Sequence, residues 1–171
     1  MTYLFTGLLA SAQQPSGYQV NYQYDGAHRL IAWSDNRGNS GSYALDGMGN
    51  RTAEQTKDAQ GQLAFELSRS INAINRVASE TVGGNQSASY TYDANGDLIG
   101  TANGLGQSSV YTLDALRRQS AETNAQGGQA SLGYNSLNAI TQASDFKGVA
   151  TSYTRDAQGN ATQEVSADIG T

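Results

Sequence analysis

The feature that most constrains the fold of this chain is an internal repeat of 21 residues. The stretch SYTYDANGDLIG, which begins at Ser89, is echoed by NYQYDGAHRLIA from Asn21 and by SYTRDAQGNATQ from Ser152. We take the Asp or Asn at the turn of each copy as an anchor, which gives Asp25, Asp46, Asn72, Asp93, Asp114, Asn135 and Asp156. Their spacing is 21 residues throughout, except for 26 between Asp46 and Asn72. A fixed period of this length indicates one supersecondary unit copied along the chain.

Each repeat has the sequence pattern of a β-hairpin. The residues one and three positions before the anchor are mostly aromatic, and this spacing puts them on one face of a strand. The anchor and a Gly, Asn or His three positions later are typical of a turn, and Gly38, Gly106, Gly127 and Gly148 predict a second turn thirteen residues after their anchors. We therefore expect an all-β fold in which hairpins form a long, curled or spiral antiparallel sheet.

The repeat predicts a single array over residues 1–171 with about eight copies. Leu4 takes the anchor position of the first copy, and Gly7 and Gly17 follow at the expected positions. The five extra residues between Asp46 and Asn72 predict an enlarged hairpin near residues 56–67. Repeat arrays usually need capped ends, and no cap is evident, so we expect a piece of a longer array. The N-terminal segment resembles a signal peptide only superficially, because no Lys or Arg precedes its apolar stretch and the repeat runs through it.

Composition narrows the possible functions. The net charge is −5 and the ten Lys and Arg residues are scattered, which disfavours a nucleic-acid partner. No apolar run approaches the length that spans a bilayer. The chain has no cysteine, so disulfides, zinc-thiolate sites and thiol nucleophiles are excluded.

The strongest candidate for a metal site is the turn Asp93-Ala94-Asn95-Gly96-Asp97. Asp93, Asn95 and Asp97 place oxygen ligands at alternate positions, as at the start of a calcium-binding EF-hand loop. Gly104 stands where such a loop needs its final Glu, so this is not an EF-hand. The sequence leaves two interpretations open: a weak Ca²⁺ site completed by carbonyls and a neighbouring turn, or a hydrated β-turn.

Two further sets of residues could carry chemistry. Glutamates stand eight residues after four anchors, at Glu54, Glu80, Glu122 and Glu164, where they could pair around a cation or simply keep the sheet soluble. The single histidine, His28, lies three positions after its anchor and is more simply a turn residue than a catalytic base. No nucleophile-elbow or phosphate-binding glycine motif accompanies it, and the catalytic residues of any enzyme here stay unknown.

The motifs YQYDGAHRLIAW, YTYDANGDLIG and YTRDAQGNATQ at this spacing resemble the YD repeats of the Rhs family over nearly the whole chain. The resemblance implies a β-sheet that spirals into a shell, as in Rhs proteins and insecticidal toxin complexes, and a secreted or cell-surface location. About eight repeats are too few to close such a shell, and no cargo, plug or receptor-binding module is evident.

The resemblance leaves two functions open. The first is a structural or binding module, a strip of shell wall whose partners are its parent shell or, through edge strands, other copies. The second is a calcium-dependent hydrolase of lactones, such as the acyl-homoserine lactones of quorum sensing, because small free-standing chains of this kind also resemble a calcium-dependent lactonase. In that case Ca²⁺ would polarise the carbonyl and orient water, and a nearby carboxylate would act as general base.

Overall fold

The computed structural model describes residues 1–167, and every regular element in that range is a β-strand. The prediction of an all-β array of antiparallel hairpins is confirmed. No helix long and apolar enough to cross a membrane lies within these residues. Backbone contacts divide the chain into two compact units, Met1–Ala88 and the part from Ser89 onward.

The first unit is a meander in which each strand pairs with the strands before and after it in the chain. Its strands are β1 Thr2–Tyr3, β2 Leu9–Gln13, β3 Gln19–Tyr24, β4 Leu30–Asp35, β5 Ser40–Leu45, β6 Arg51–Lys57, β7 Leu63–Ile71 and β8 Val77–Val82. Strand β9, Gln86–Tyr92, crosses the division between the units.

The second unit repeats the same meander. Its strands are β10 Leu98–Asn103, β11 Ser108–Leu113, β12 Gln119–Thr123, β13 Gln129–Tyr134, β14 Ile140–Ser144, β15 Ala150–Arg155 and β16 Ala161–Ser166. A strand pair every 21 residues follows directly from the repeated alternation of side chains and turn residues.

Two rows of turns connect the strands. The first-row turns begin at Leu4 and the seven sequence anchors, and the second-row turns begin at Gln14, Asp35, Asp58, Asn103, Asn124 and Asp145. In both rows the anchor N–H donates to the carbonyl four residues on, and the residue three positions on donates back to the anchor carbonyl. The expected glycines have positive φ, including 93° at Gly38 and 79° at Gly127, which confirms the predicted second turn.

The two rows differ in register. In the described hairpins closed by a first-row turn, one residue six positions after the anchor is unpaired and forms a β-bulge; Thr52, Ser120 and Thr162 are examples. Among the hairpins closed by a second-row turn whose register is described, all are uninterrupted except β6–β7, where Ala64 is extra. This hairpin covers the five-residue insertion, and its strands are seven and nine residues long.

The tyrosines one and three positions before the sequence anchors lie on one face of their strands and are half-buried. Tyr22 pairs with Trp33, and Trp33 lies across Gly41, where an added Cβ would be only 2.1 Å from the indole Nε1. Within residues 1–167 Leu67, at 7% exposure, is the one buried apolar side chain apart from small residues. The rings stay half-buried because the described strands of each unit form one layer, with no helix or second sheet packed on it.

Candidate functional site

The predicted metal-binding turn lies between β9 and β10. Asp93 Oδ1 accepts hydrogen bonds from the backbone N–H groups of Asn95 and Asp97, both at 2.9 Å. This is the bonding of an Asx turn, in which the side chain holds the backbone of its own loop. One of the two oxygens of the first predicted ligand therefore already has two donors.

A neighbouring arginine engages the third predicted ligand. The Arg117 guanidinium donates through Nε and Nη2 to the two carboxylate oxygens of Asp97. Its pKa is raised, first by the hydrogen bond and charge of Asp97 and further by the charge of Asp93. The cation beside these carboxylates in this structure is thus a side chain of the chain itself. The Asp93, Asn95 and Asp97 calcium site stays a prediction.

No cluster of three or more His, Asp or Glu side chains suited to a metal occurs within residues 1–167. Each candidate glutamate lies on the neighbouring strand, directly opposite the residue three positions before its anchor; Glu54, for example, pairs with Tyr43. Arg51 forms an ion pair with Glu54 at 3.0 Å and lies 3.8 Å from the centre of the Tyr43 ring. Strand β7 separates Glu54 from Glu80, so these two carboxylates are not direct neighbours.

Two of the other three glutamates form hydrogen bonds with neighbouring side chains. Glu80 accepts a hydrogen bond from Arg69 Nε at 3.2 Å, and Glu122 accepts one from Ser109 Oγ at 2.8 Å. His28 is exposed with φ 64°, a conformation that identifies it as the positive-φ residue of its turn. Three shallow depressions lined by residues of the described range, each of about 230 to 250 Å³, contain at most one carboxylate apiece.

The anchor aspartates are poor candidates for a general base. The pKa of several anchors is lowered, chiefly by the hydrogen bond from the residue four positions on; these are Asp25, Asp46, Asp114, Asp156 and, in the second row, Asp35. At Asp46 the donor is Asn50 Nδ2, 2.8 Å from Oδ2, and at Asp114 it is Arg118 Nε at 2.7 Å. A base that is saturated with donors and acidified holds a proton weakly.

The residue four positions after a first-row anchor also ties neighbouring turns together, a role that sequence reasoning missed. Arg29 Nη1 donates to the carbonyl of Asp46 at 3.0 Å, and Arg118 Nη1 donates to Asn138 Oδ1 at 2.7 Å. The signal was available, because Arg stands at this position in three of the seven sequence-anchored repeats.

Sequence reasoning also missed the second-row anchors. Asp35, Asn103, Asn124 and Asp145 make the same side-chain bonds to their own loops as the first-row anchors. They stand ten residues after the first-row anchors, and the glycines noticed at thirteen lie three positions after them, as the fourth residues of their turns.

Comparisons with known proteins agree with a fold built from repeated hairpins. Residues 24–63 and 92–129 match the family model RHS Repeat. Among solved structures the chain is similar to TcdB2-TccC3-TEV, with TM-score 0.73, 15% identity and coverage of 99% of this chain and 11% of that one. It is also similar to TcdB2-TccC3-Cdc42, with TM-score 0.72, 16% identity and coverage of 98% and 11%.

A third similar structure is the Tc holotoxin pore of Photorhabdus luminescens, with TM-score 0.68, 17% identity and coverage of 90% of this chain and 9% of that one. The chain thus spans only 9–11% of these much longer chains. At such identities the similarity concerns the fold. No match was found among curated proteins.

Proposed function

We propose that this chain, which belongs to the Rhs (YD-repeat) family, serves as a segment of shell wall rather than as a catalyst. The observation that carries the proposal is the use of its polar groups. Turn carboxylates, arginines and amides bond to their own loops or to the next turn, as Arg29 does with Asp25 and with the Asp46 carbonyl. Groups used in this way hold a sheet together and leave little free for a substrate.

The similarity to toxin-complex structures supports the same proposal at the level of fold. A wall segment would make two kinds of contact. Further strands would pair with the edge strands β1 and β16, and another layer would pack on the face that carries the half-buried rings. The proposed partners are therefore a parent shell or another copy of the chain, bound through these edge strands. A secreted or cell-surface location is proposed from the family.

The proposal can be tested by joining two copies of the chain. A linker of two residues restores the 21-residue spacing between Asp156 of the first copy and Leu4 of the second. Because stability in a repeat array includes each interface between neighbours, the tandem protein should have a higher Tm than the single chain.

A tandem protein with a linker of three residues is the matched control. A shift of one residue turns every side chain of the incoming strand to the other face, so this tandem should gain no stability. Equal Tm values for the single chain and both tandems would contradict the wall proposal.

Lactone hydrolysis is the alternative function, and it is tested separately. Acyl-homoserine lactone should be incubated with the single chain in calcium and in EGTA, and ring opening followed by mass spectrometry. A wall segment gives the rate of buffer in both. Calcium-dependent turnover that is lost when Asp93 and Asp97 are both changed to Asn would replace the wall proposal with the hydrolase.

A further inference from the structure

The chain contains two Asn-Gly pairs, Asn95–Gly96 and Asn103–Gly104, and their Asn side chains differ in hydrogen bonding. Asparagine is a thermolabile residue, and a following glycine exposes its own nitrogen because it has no Cβ. We infer that Asn95 is a site of spontaneous deamidation in the folded protein and that the second-row turn protects Asn103.

Asn103 is an anchor, and its side chain is fully engaged. Its Oδ1 accepts the backbone N–H groups of Leu105 and Gln107, both at 3.0 Å. Its Nδ2 donates to Gln107 Oε1 at 2.8 Å. All three hydrogen bonds must break before the amide carbon can turn toward the nitrogen of Gly104.

Asn95 stands at the exposed tip of a first-row turn, and its side chain makes no hydrogen bond within residues 1–167. Only main-chain groups hold this residue: its N–H donates to Asp93 Oδ1, and its carbonyl accepts Arg117 Nη2 at 3.5 Å. The attacking nitrogen, that of Gly96, is held by a single turn hydrogen bond to the Asp93 carbonyl at 3.1 Å.

The reaction needs only water. Hydroxide removes the proton of the Gly96 nitrogen, which attacks Asn95 Cγ and forms a C–N bond. The bond from Cγ to the amide nitrogen then breaks, and that nitrogen takes a proton from water and leaves as ammonia. Water then opens the resulting succinimide at either carbonyl, to give aspartate or isoaspartate. The aspartate product places a third carboxylate between Asp93 and Asp97, on a residue whose backbone carbonyl already accepts a hydrogen bond from Arg117.

The test is a peptide map of the full chain after incubation in mildly alkaline buffer, with deamidation read as the mass gain of each Asn-Gly peptide. Breaking two additional hydrogen bonds, each a factor of about 2 to 10, should slow Asn103 relative to Asn95 by about ten-fold or more. In concentrated urea, which removes the turns, the two rates should become equal.

Gln107→Ala removes the partner of Asn103 Nδ2 and should speed deamidation at that site alone. Asn95→Ser should abolish the mass gain of its own peptide and leave that of Asn103 unchanged. Equal rates at the two sites in the folded chain, a faster rate at Asn103, or no reaction at Asn95 until the chain unfolds would each overturn the inference.

Discussion

The first-row and second-row turns share the same internal hydrogen bonds but differ in how neighbouring turns meet. In the first row, long side chains bridge the gap, as when Arg29 reaches the Asp46 carbonyl at 3.0 Å. In the second row, the turn at Gly38 lies directly against the next one, and a Cβ there would be 3.2 Å from the Ala59 Cα. At these two places neighbouring turns therefore meet differently, through a side chain at Asp46 and through the backbone at Gly38.

The bulge adds to this difference. An extra residue after each first-row turn interrupts the ladder, and three bulge hydroxyls donate to the carbonyl of the residue two positions before the anchor. The second-row hairpins keep a regular ladder, apart from the enlarged one. The first row thus depends more on side chains for its hydrogen bonds, and the comparison can be tested row by row.

The largest expected effect separates Gly38 from Gly49, one in each row with nearly equal φ of 93° and 91°. Gly38→Ala adds strain at positive φ and a clash with Ala59, and should cost about 2–4 kcal/mol. Gly49→Ala meets only the flexible Arg29 side chain at 3.7 Å and should cost about 1–2 kcal/mol. Urea denaturation measures the loss of unfolding free energy in both variants. Equal losses would show that the backbone contact between Gly38 and Ala59 has no effect on stability.

The next effect concerns acid. The pKa of Asp114 and of Asp156 lies below the ordinary value of 3.8, chiefly because of hydrogen bonds from Arg118 and Asn160. Their contribution to stability is complete above that value and is lost as pH falls through the lower, folded pKa. Changing both to Asn should flatten the fall in Tm between pH 7 and about pH 2.

Second-row anchors in the same unit are the natural comparison, because Asn103 and Asn124 already lack a titrating carboxylate. If the double variant keeps the full acid sensitivity of the wild type, the first-row anchors do not control it.

A smaller effect tests the bulge. Thr52 Oγ1 donates to the Ala44 carbonyl at 3.3 Å, and Thr52→Val removes that bond at nearly constant shape. The expected cost is about 0.5–1 kcal/mol. Thr141 occupies the same bulge position without a hydroxyl hydrogen bond within residues 1–167, so Thr141→Val is the control and should be nearly neutral. Equal costs would show that the hydroxyl does not compensate the bulge.

The smallest expected effect is that of calcium. Arg117 competes for the Asp97 carboxylate, so millimolar calcium should raise the Tm of the wild type only slightly. Arg117→Gly removes this competing cation, suits the positive φ of 63° and should enlarge the calcium shift. Asp93→Asn with Asp97→Asn should remove it. If calcium shifts none of these proteins, the turn holds only its own backbone.

Much of the fold could be predicted from the sequence because the hairpin is specified locally. The residue three positions after each sequence anchor has positive φ in all seven repeats, including Arg117, the one residue type there that does not favour it. The turn residues recur in enough repeats for the 21-residue period to reveal them. The glycines of the first-row and second-row turns could be predicted for the same reason.

The remaining features depend on contacts between repeats, which the 21-residue period does not specify. The same two repeat positions meet in three pairs of neighbouring repeats, as Asp97 with Arg117, Arg118 with Asn138 and Asn50 with Asn75. The residue types differ in each pair, so the pattern of residue types does not indicate the contact. The second-row anchors were hidden because Gln14 and the segment at Val82 depart from the Asp or Asn of the others. The half-burial of the rings could not be predicted either, since a strand pattern shows which side chains share a face and not what covers them.

The meander in which strands pair with their neighbours along the chain has a consequence for how the protein reaches its folded state. Within each unit every hairpin closes a loop of only a few residues, so its entropic cost is low and any hairpin can serve as a starting point. Growth then proceeds by adding one strand at a time to an existing edge. Such a chain can begin to fold during synthesis, as soon as its first hairpins have left the ribosome.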